Sequence, residues 1–252
     1  MSALLQAIES YWDGRVDGYS QVNLAELYSF KKEVWTQLIQ EQVPMAAERS
    51  IRVLDIGTGP GFFAIIMAEC GHQVTAVDYT QAMLERAKEN AGIYADQIAF
   101  KRMDAHSLEF EDNSFDLIVS RNLTWTLAEP ERAYRSWHRV LDKGGYLLNF
   151  DANWYLHVHD EQKRQEYELD RLNTKQLNLA DHYTCTDTEA MEKIVAQLPL
   201  SKTIRPHWDA QVLLNIGFES LSMDTRIGQR VWDQEELVNY HSTPLFMIGA
   251  RK

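Results

Sequence analysis

The residues best suited to chemistry begin with three glycines at alternate positions, Gly57, Gly59 and Gly61, preceded by Asp55. The apolar run before them predicts a buried parallel strand, and the apolar run after them predicts a helix. A glycine turn between a strand and a helix N-terminus lets the backbone approach a ligand closely, because no Cβ obstructs the approach. The stretch therefore predicts a ligand-binding loop.

The spacing separates this loop from two nucleotide-binding patterns. A dinucleotide loop reads G-x-G-x-x-G, whereas the third glycine here comes one residue early, and no Gly-Lys-Ser/Thr follows as in a P-loop. The string D-I-G-T-G-P-G resembles the first motif of class I S-adenosylmethionine (SAM) methyltransferases, and the resemblance extends motif by motif over residues 50–151. It implies that SAM is bound by Asp55, Gly57, Thr58 and Gly59, with Asp55 near the cofactor's ammonium.

A second acid, Asp78, ends the next predicted strand. Its distance from Asp55 is close to the roughly 20 residues that separate the glycine loop from the ribose-binding carboxylate in Rossmann-like units. A carboxylate there can accept two hydrogen bonds from a ribose diol. The alternative is a loop acid that caps the following helix. The resemblance implies further cofactor contacts from Tyr19, Tyr79, Met83, Asp104, Ala105 and Ser120, with Met83, Asp104 and Ala105 at the adenine.

Aromatic residues outside the glycine loop are the candidate substrate contacts. The resemblance implies that N-terminal helices lie over the cofactor pocket and that Trp125 borders the methyl group. We therefore predict that the substrate side is lined by Tyr11, Trp12, Trp125, Trp154 and Tyr155. The alternative is that these rings anchor helices and loops to the core.

His157, directly behind Trp154 and Tyr155, is the candidate general base. A metal site at His157 and His159 is disfavoured, because residues two apart do not share a helix face and no further ligand set has metal-binding spacing. We predict no metal. Methyl transfer from a sulfonium needs a base only when the nucleophile holds its proton, so alignment and water exclusion carry most of the catalysis.

A predicted alternation of strands and helices positions these residues. The strands are expected at 51–56, 72–78, 97–103, 115–120, 146–150, 218–223 and 244–250. The helices are expected at 2–12, 21–42, 62–70, 81–90, 129–141, 158–179, 187–197 and 208–216, with a turn-rich stretch at 13–19. The expected fold class is α/β: a Rossmann-like doubly wound sheet of seven strands, the first six parallel. The seventh is antiparallel and returns beside the sixth after a short connection.

The same pattern divides the chain into four parts. We predict an N-terminal helical cap at 1–48, a SAM-binding Rossmann-like core at 49–155, and a helical lid or substrate insertion at 156–205 between strands 5 and 6. Residues 206–252 then supply a helix and strands 6 and 7 that complete the core. A long excursion at the carboxyl end of a strand is where α/β enzymes build substrate pockets.

Composition and charge restrict the partners. The chain has 37 Asp and Glu against 25 Lys and Arg, a formal net charge of −12, so nucleic acid is an unlikely partner. No apolar run approaches the roughly 20 residues needed to cross a bilayer, and the first residues lack a basic signal region, which predicts a cytoplasmic protein. The two cysteines, Cys70 and Cys185, form no disulfide framework, and Cys70 is expected in the core.

These observations predict an enzyme that moves a methyl group from SAM to an apolar or cationic small molecule by in-line SN2 transfer, with S-adenosylhomocysteine as the product. Three alternatives stay open at this point: an RNA or tRNA methyltransferase, an NAD-dependent oxidoreductase, and a non-catalytic SAM-binding protein. The early third glycine and Asp55 count against NAD, and the acidic charge counts against RNA.

Overall fold

The computed structural model describes residues 3–183 and 186–252, so Cys185 lies outside the described residues. Seven strands form one sheet: β1 Arg52–Ile56, β2 Gln73–Asp78, β3 Ile98–Arg102, β4 Phe115–Arg121, β5 Leu141–Asp151, β6 Ser220–Asp224 and β7 Phe246–Arg251. Their order is β3-β2-β1-β4-β5-β7-β6, and β7 runs antiparallel to both of its neighbours. The predicted fold class is confirmed.

Twelve α-helices surround the sheet within the described ranges. They are α1 Ala3–Asp13, α2 Val16–Leu27, α3 Lys31–Gln42, α4 Met45–Glu48, α5 Phe62–Glu69, α6 Gln81–Ala91, α7 Pro130–Val140, α8 Glu161–Gln176, α9 Thr188–Val195, α10 His207–Ile216, α11 Gly228–Val231 and α12 Gln234–Asn239. Over the same residues, no helix is both long enough and apolar enough to cross a membrane.

The core lies on both faces of the sheet, because successive strand residues point to opposite sides. In β1, Val53 packs into the cluster that contains α5 and Trp35 of α3, whereas Leu54 packs into the cluster that contains Trp137 of α7. Both clusters are closed to solvent, with Val53, Leu54 and Trp137 at 0% exposure. Two apolar layers of this kind fix the sheet and leave the strand ends free to carry polar groups.

The N-terminal helices differ from the prediction. The single helix expected at 21–42 is two helices, α2 and α3, and the turn-rich stretch expected at 13–19 is helical from Val16. Ser29 explains the break: its Oγ donates to the carbonyl of Glu26 (2.9 Å) and accepts from the amide of Lys31 (3.2 Å). A serine that satisfies backbone groups in this way competes with the helical hydrogen bonds.

Two further predictions are wrong. The connection between β6 and β7 is not short, since residues 225–245 hold α11 and α12, and α12 begins with a capping box between Asp233 and Glu236. Cys70 is exposed rather than buried, because α5 ends at Glu69 and Cys70 only caps it. The helices expected in the insertion are present as α8 and α9, with shorter bounds than predicted.

Candidate functional site

A cavity opens where the first four strands end, and its lining encloses about 860 Å³ of space, the open mouth included. We call it the sheet-edge cavity. Its lining from the strand ends and the segments that follow them includes Gly57, Gly59, Asp78, Tyr79, Met83, Asp104, Ala105, Arg121 and Asn122. Helix α1 covers it with Leu5, Ile8, Glu9 and Trp12. Parallel α/β sheets bind ligands at this edge.

The glycine loop meets the cavity with backbone that side chains would obstruct. Gly57 and Gly59 have φ of +69° and +52°, in the left-handed region that favours glycine. A Cβ on Gly57 would lie 2.8 Å from Leu123 Cδ2, and a Cβ on Gly59 would lie 3.3 Å from Tyr19 Cε1. The loop therefore presents bare backbone to a ligand, as its sequence predicts.

Asp55 lies behind this loop and does not line the cavity. It is 2% exposed, and its Oδ2 accepts from Thr58 Oγ1 (2.6 Å) and from the Ala64 amide (3.0 Å). Burial raises the pKa of the Asp55 carboxyl to about 7. These contacts tie the glycine loop to the start of α5. Direct contact of Asp55 with the cofactor stays a prediction, and the geometry gives Asp55 and Thr58 a supporting position.

Ser120 is likewise removed from the cavity. It is 0% exposed, and its hydroxyl donates to the carbonyl of Ile56 (2.9 Å), which joins β4 to the end of β1. A cofactor contact of Ser120 stays a prediction.

Asp78 lies on the cavity wall, as expected of a ribose-binding acid. Its Oδ2 accepts from the Gly59 amide (2.9 Å) and its Oδ1 accepts from the Thr80 amide (2.9 Å). Burial raises the pKa of Asp78, against these backbone hydrogen bonds, which lower it. The Tyr79 amide and the Thr80 side chain also hydrogen-bond this carboxylate and lower its pKa, so the loop after β2 holds Asp78 at the cavity wall. Asp78 is thus compatible with both alternatives, a loop acid and a ribose-binding acid, because it fixes the loops and also faces the cavity.

Met83, Asp104 and Ala105 line the far end of the sheet-edge cavity, and His106, which sequence reasoning missed, lines it beside them. His106 Nε2 accepts from the Glu129 amide (3.2 Å), so the proton sits on Nδ1, which donates to Asp104 Oδ1 (2.6 Å). His106 thereby orients the carboxylate. The Asp-x-His spacing is the only sequence signal that would have indicated this pair.

A second cavity of about 640 Å³ adjoins the first, and we call it the aromatic cavity. All five predicted substrate residues line it: Tyr11, Trp12, Trp125, Trp154 and Tyr155. The two cavities share Trp12, Tyr19 and Asn122. The wall also includes Arg15, His182, Tyr183, Thr186, Met191 and Tyr240, which sequence reasoning did not single out because they lie far apart in the chain.

Ring contacts and Asn122 fix the shape of the aromatic cavity. Trp125 stacks on Tyr155 with centroids 5.3 Å apart, and Trp154 meets Tyr240 edge to face at 5.3 Å. The Asn122 carbonyl accepts from Trp125 Nε1 (2.9 Å), and its side-chain oxygen accepts from Trp154 Nε1 (3.3 Å). Trp125 is 5% exposed. Trp125 therefore fits both interpretations of the sequence, because it packs against its neighbours and also lines the aromatic cavity.

His157, the predicted base, lines neither cavity. Its ring stacks on Tyr167 with centroids 4.0 Å apart and an interplanar angle of 4°. Burial lowers the pKa of His157 to about 4, so the imidazole is neutral near pH 7. His157 thus lies behind the cavity wall, with its ring centroid 5.6 Å from that of Tyr155, and its catalytic role stays a prediction. Among the described residues, no group of three or more His, Cys, Asp or Glu is arranged to hold a metal.

A buried ion pair, also missed from the sequence, lies beside the residues that the two cavities share. Arg121 Nη1 and Nη2 donate to the two carboxylate oxygens of Glu26 at 3.0 and 2.7 Å, which fastens β4 to α2. The Arg121 guanidinium also lies 4.6 Å from the centroid of Phe62. This pair keeps α2, which carries Tyr19, against the sheet edge.

The seven-stranded sheet with an antiparallel last strand, together with a glycine loop facing a cavity at the strand ends, defines a Rossmann-like fold of the methyltransferase type. The family model described as a methyltransferase domain matches residues 54–149. The chain is 30% identical over 193 residues to a ubiquinone/menaquinone biosynthesis C-methyltransferase of Pseudoalteromonas translucida, covering 70% of this chain and 69% of that protein. The chain therefore belongs to the class I SAM-dependent methyltransferases, and SAM is its cofactor.

Other similarities extend over shorter stretches or concern the fold alone. A phosphatidylethanolamine N-methyltransferase of Cereibacter sphaeroides is 34% identical over 102 residues, which cover 40% of this chain and 50% of that protein. The chain spans half or less of several curated relatives that it matches. A solved SAM-dependent methyltransferase of Thermotoga maritima, described as a possible histamine N-methyltransferase, superposes with a TM-score of 0.58 at 18% identity, over 96% of this chain and 99% of that one.

Proposed function

We propose that this protein transfers a methyl group from SAM to a small-molecule acceptor held in the aromatic cavity. One observation carries the proposal: the sheet-edge cavity and the aromatic cavity share Trp12, Tyr19 and Asn122. A cofactor in the first and an acceptor in the second would meet at these three residues. In-line transfer requires such a junction, because donor and acceptor atoms must approach to within van der Waals distance along one axis.

The residues of the sheet-edge cavity suit the cofactor. Bare backbone at Gly57 and Gly59 would hold the methionine end, the Asp78 carboxylate on the cavity wall would hold the ribose, and Met83 with Asp104 would hold the adenine. SAM supplies a methyl group on a positively charged sulfur. The chain's own contribution is to orient the reactants and to exclude water beneath α1 and the aromatic rings.

The walls of the aromatic cavity favour a flat, largely apolar acceptor. Eight of its thirteen lining residues are Tyr or Trp, which suit ring-bearing ligands. Among the described residues no carboxylate lines this cavity, and its one fixed charge is that of Arg15. The sequence predicts an apolar or cationic acceptor, and this lining favours an apolar one. A ring-bearing acceptor also agrees with the quinone biosynthesis for which the Pseudoalteromonas relative is named.

Calorimetry of the purified protein with SAM, S-adenosylhomocysteine and NAD tests the cofactor first. We expect micromolar binding of the first two and none of NAD. The acceptor is then sought by measuring S-adenosylhomocysteine release with a panel of aromatic small molecules. If RNA is methylated and none of the small molecules is, the proposed small-molecule acceptor is wrong. If SAM binds but no acceptor is methylated, the result favours a non-catalytic SAM-binding protein.

A further inference from the structure

We infer that Tyr240, His182 and Glu235 form a proton relay on the wall of the aromatic cavity, and that it serves an acceptor bearing an ionisable hydroxyl on an aromatic ring. The inference rests on the proposed function. His182 Nε2 lies 2.8 Å from Glu235 Oε1, and His182 Nδ1 lies 3.2 Å from the Tyr240 hydroxyl. Both His182 and Tyr240 line the aromatic cavity, whereas His157 does not.

With a neutral His182 ring, the hydrogen-bond partners define one direction for the relay. A carboxylate only accepts, so the proton between His182 and Glu235 sits on Nε2. In the neutral imidazole Nδ1 then carries a lone pair and accepts from the Tyr240 hydroxyl. The second oxygen of Glu235 accepts from the amide of Ala180 at 3.4 Å, which holds the carboxylate toward the insertion.

The fold constructs this arrangement from two distant stretches. Glu235 lies in α12 and Tyr240 directly follows it, whereas His182 belongs to the predicted 156–205 insertion. Asn239, 1% exposed, joins the two: its side-chain oxygen accepts from the His182 amide (3.1 Å) and its side-chain nitrogen donates to the Ala180 carbonyl (2.9 Å). His182 is therefore held at a defined position relative to α12.

The proton balance is complete without any further reactant. As the acceptor oxygen attacks the methyl carbon, its proton passes to the Tyr240 oxygen, and the Tyr240 proton passes to His182 Nδ1. The imidazolium that forms is stabilised by the Glu235 carboxylate. The carbon–oxygen bond forms as the carbon–sulfur bond breaks, and the electron pair leaves with sulfur. Solvent later removes the proton from His182, whose side chain is 29% exposed.

The charged groups around the relay are mostly paired with one another. Arg171 pairs with Asp181 at 2.6 Å beside His182, and Lys31 pairs with Asp233 and Glu236 at 3.0 and 2.5 Å on α12. Arg15 adds a positive charge on the cavity wall near Tyr155. A positive charge on that wall favours the developing anion of a hydroxyl acceptor over a cationic acceptor.

The first test reads the relay without any acceptor. Nitrogen-15 NMR of histidine-labelled protein saturated with S-adenosylhomocysteine reports which ring nitrogen of His182 carries the proton, with His182→Asn used for assignment. We expect protonated Nε2 and unprotonated Nδ1, and a change at Nδ1 in Tyr240→Phe. A proton on Nδ1, with or without one on Nε2, would overturn the inference, because Tyr240 could then pass no proton to His182.

The second test uses 1-naphthol, which holds its proton near neutral pH, and 4-nitrophenol at a pH where it is ionised. We expect Tyr240→Phe, His182→Asn and Glu235→Gln to lower kcat/KM for 1-naphthol by about 10²- to 10⁴-fold. The same variants should change kcat/KM for 4-nitrophenolate, and the affinity for S-adenosylhomocysteine, much less. Tyr28→Phe and His207→Asn, at exposed positions outside both cavity linings, are the matched controls and should preserve 1-naphthol turnover.

The outcomes separate this inference from the proposed function. Equal losses with both phenols would identify the three residues as structural and overturn the relay. Turnover of neither phenol by a protein that binds SAM would overturn the hydroxyl-bearing acceptor class. Failure to bind SAM or S-adenosylhomocysteine in calorimetry would instead contradict the proposed function, and the NMR result on the protein without added ligand would then decide the relay alone.

Discussion

At the scale of single residues, two aspartates at adjacent strand ends have opposite surroundings. Asp55 is buried against Thr58 and Ala64, and Asp78 faces the sheet-edge cavity. The motif located both residues, but the direction of a side chain at the end of a strand depends on the loop geometry that follows. The same limit applies to Thr58 and Ser120, whose hydroxyls satisfy neighbouring protein atoms.

Asp55 should make stability depend on pH. Its pKa is about 7 in the folded protein against an ordinary value of 3.8. Between these values the unfolded chain has lost the proton that the folded chain keeps, so the free energy of unfolding falls as pH rises, by up to about 1.4 kcal/mol per pH unit. In Asp55→Asn this contribution is absent. Urea denaturation of both proteins without ligand should show that the difference between their free energies of unfolding changes from pH 4 to 7 and is constant above pH 7. A difference that does not depend on pH would contradict the assignment.

Asp78→Ala should weaken binding of S-adenosylhomocysteine. Loss of charged hydrogen bonds to the ribose, and of the anchor on the Gly59 amide, should cost about 1–3 kcal/mol, or roughly 5- to 150-fold in Kd. Calorimetry measures this directly. Asp96→Ala, an exposed acid outside both cavities, is the control and should bind like the parent. Unchanged affinity of Asp78→Ala would remove that residue from the cofactor site.

At the scale of elements, α1 is a cover with few anchors. It has no buried residue, yet Leu5, Ile8 and Trp12 face the sheet-edge cavity. Its polar tie to the sheet is Glu9, which accepts from Arg102 Nη2 at 2.5 Å. Leu4, Ile8 and Trp12 pack against the apolar cluster around Trp125, but a helix with no fully buried residue opens at lower free energy than the core. A ligand beneath it would add further contacts.

Hydrogen exchange should therefore detect the cofactor at α1. We expect the amides of Ala3–Asp13 to exchange rapidly in the free protein and to slow at least tenfold with saturating S-adenosylhomocysteine, because bound ligand adds free energy to every opening that releases it. The amides of α5, whose residues Phe62–Ala68 are buried, should already be protected and serve as the internal reference. Equal protection of α1 with and without ligand would contradict its role as a cover.

Elements were predicted most reliably where one periodicity continued without interruption. β1, α5 and β2 follow strict apolar patterns and appear within about two residues of their expected bounds. The break at Ser29 and the two short helices before β7 depend on side-chain hydrogen bonds, at Ser29 and at the Asp233–Glu236 capping box. Hydrophobic periodicity does not reveal such hydrogen bonds. The sequence therefore did not indicate the two helices before β7, although this connection supplies Glu235 and Tyr240.

At the scale of the whole molecule, one buried network fastens the insertion to the sheet. Arg205 donates to Asp151 at the end of β5 (2.5 Å) and to Asp209 in α10 (2.9 and 2.7 Å), with all three side chains at 0% exposure. Asp151 also accepts from the amide of Trp125 at 3.1 Å. The network thus holds the aromatic wall and the end of the insertion on one support.

Removal of Arg205 should be severe. Arg205→Leu leaves two buried carboxylates without their partner and should cost about 3–5 kcal/mol of unfolding free energy. Arg230→Leu is the control, since Arg230 pairs with Glu41 on the surface at 2.8 Å, and exposed pairs contribute only about 0–1 kcal/mol. Urea denaturation compares the two. A similar small loss in both variants would show that the buried network is not a major support.

The distribution of tryptophan gives the molecule an optical reporter of its own occupancy. Of seven tryptophans, Trp12 borders both cavities, Trp125 and Trp154 border the aromatic cavity, and the other four lie outside both linings. Indole emission changes when water leaves its ring or an aromatic ligand stacks on it. Quenching that disappears in Trp12→Phe would register the filling of the cavity junction, and quenching that disappears in Trp154→Phe would register the acceptor alone. Unlabelled protein can therefore reveal the order in which its two ligands arrive.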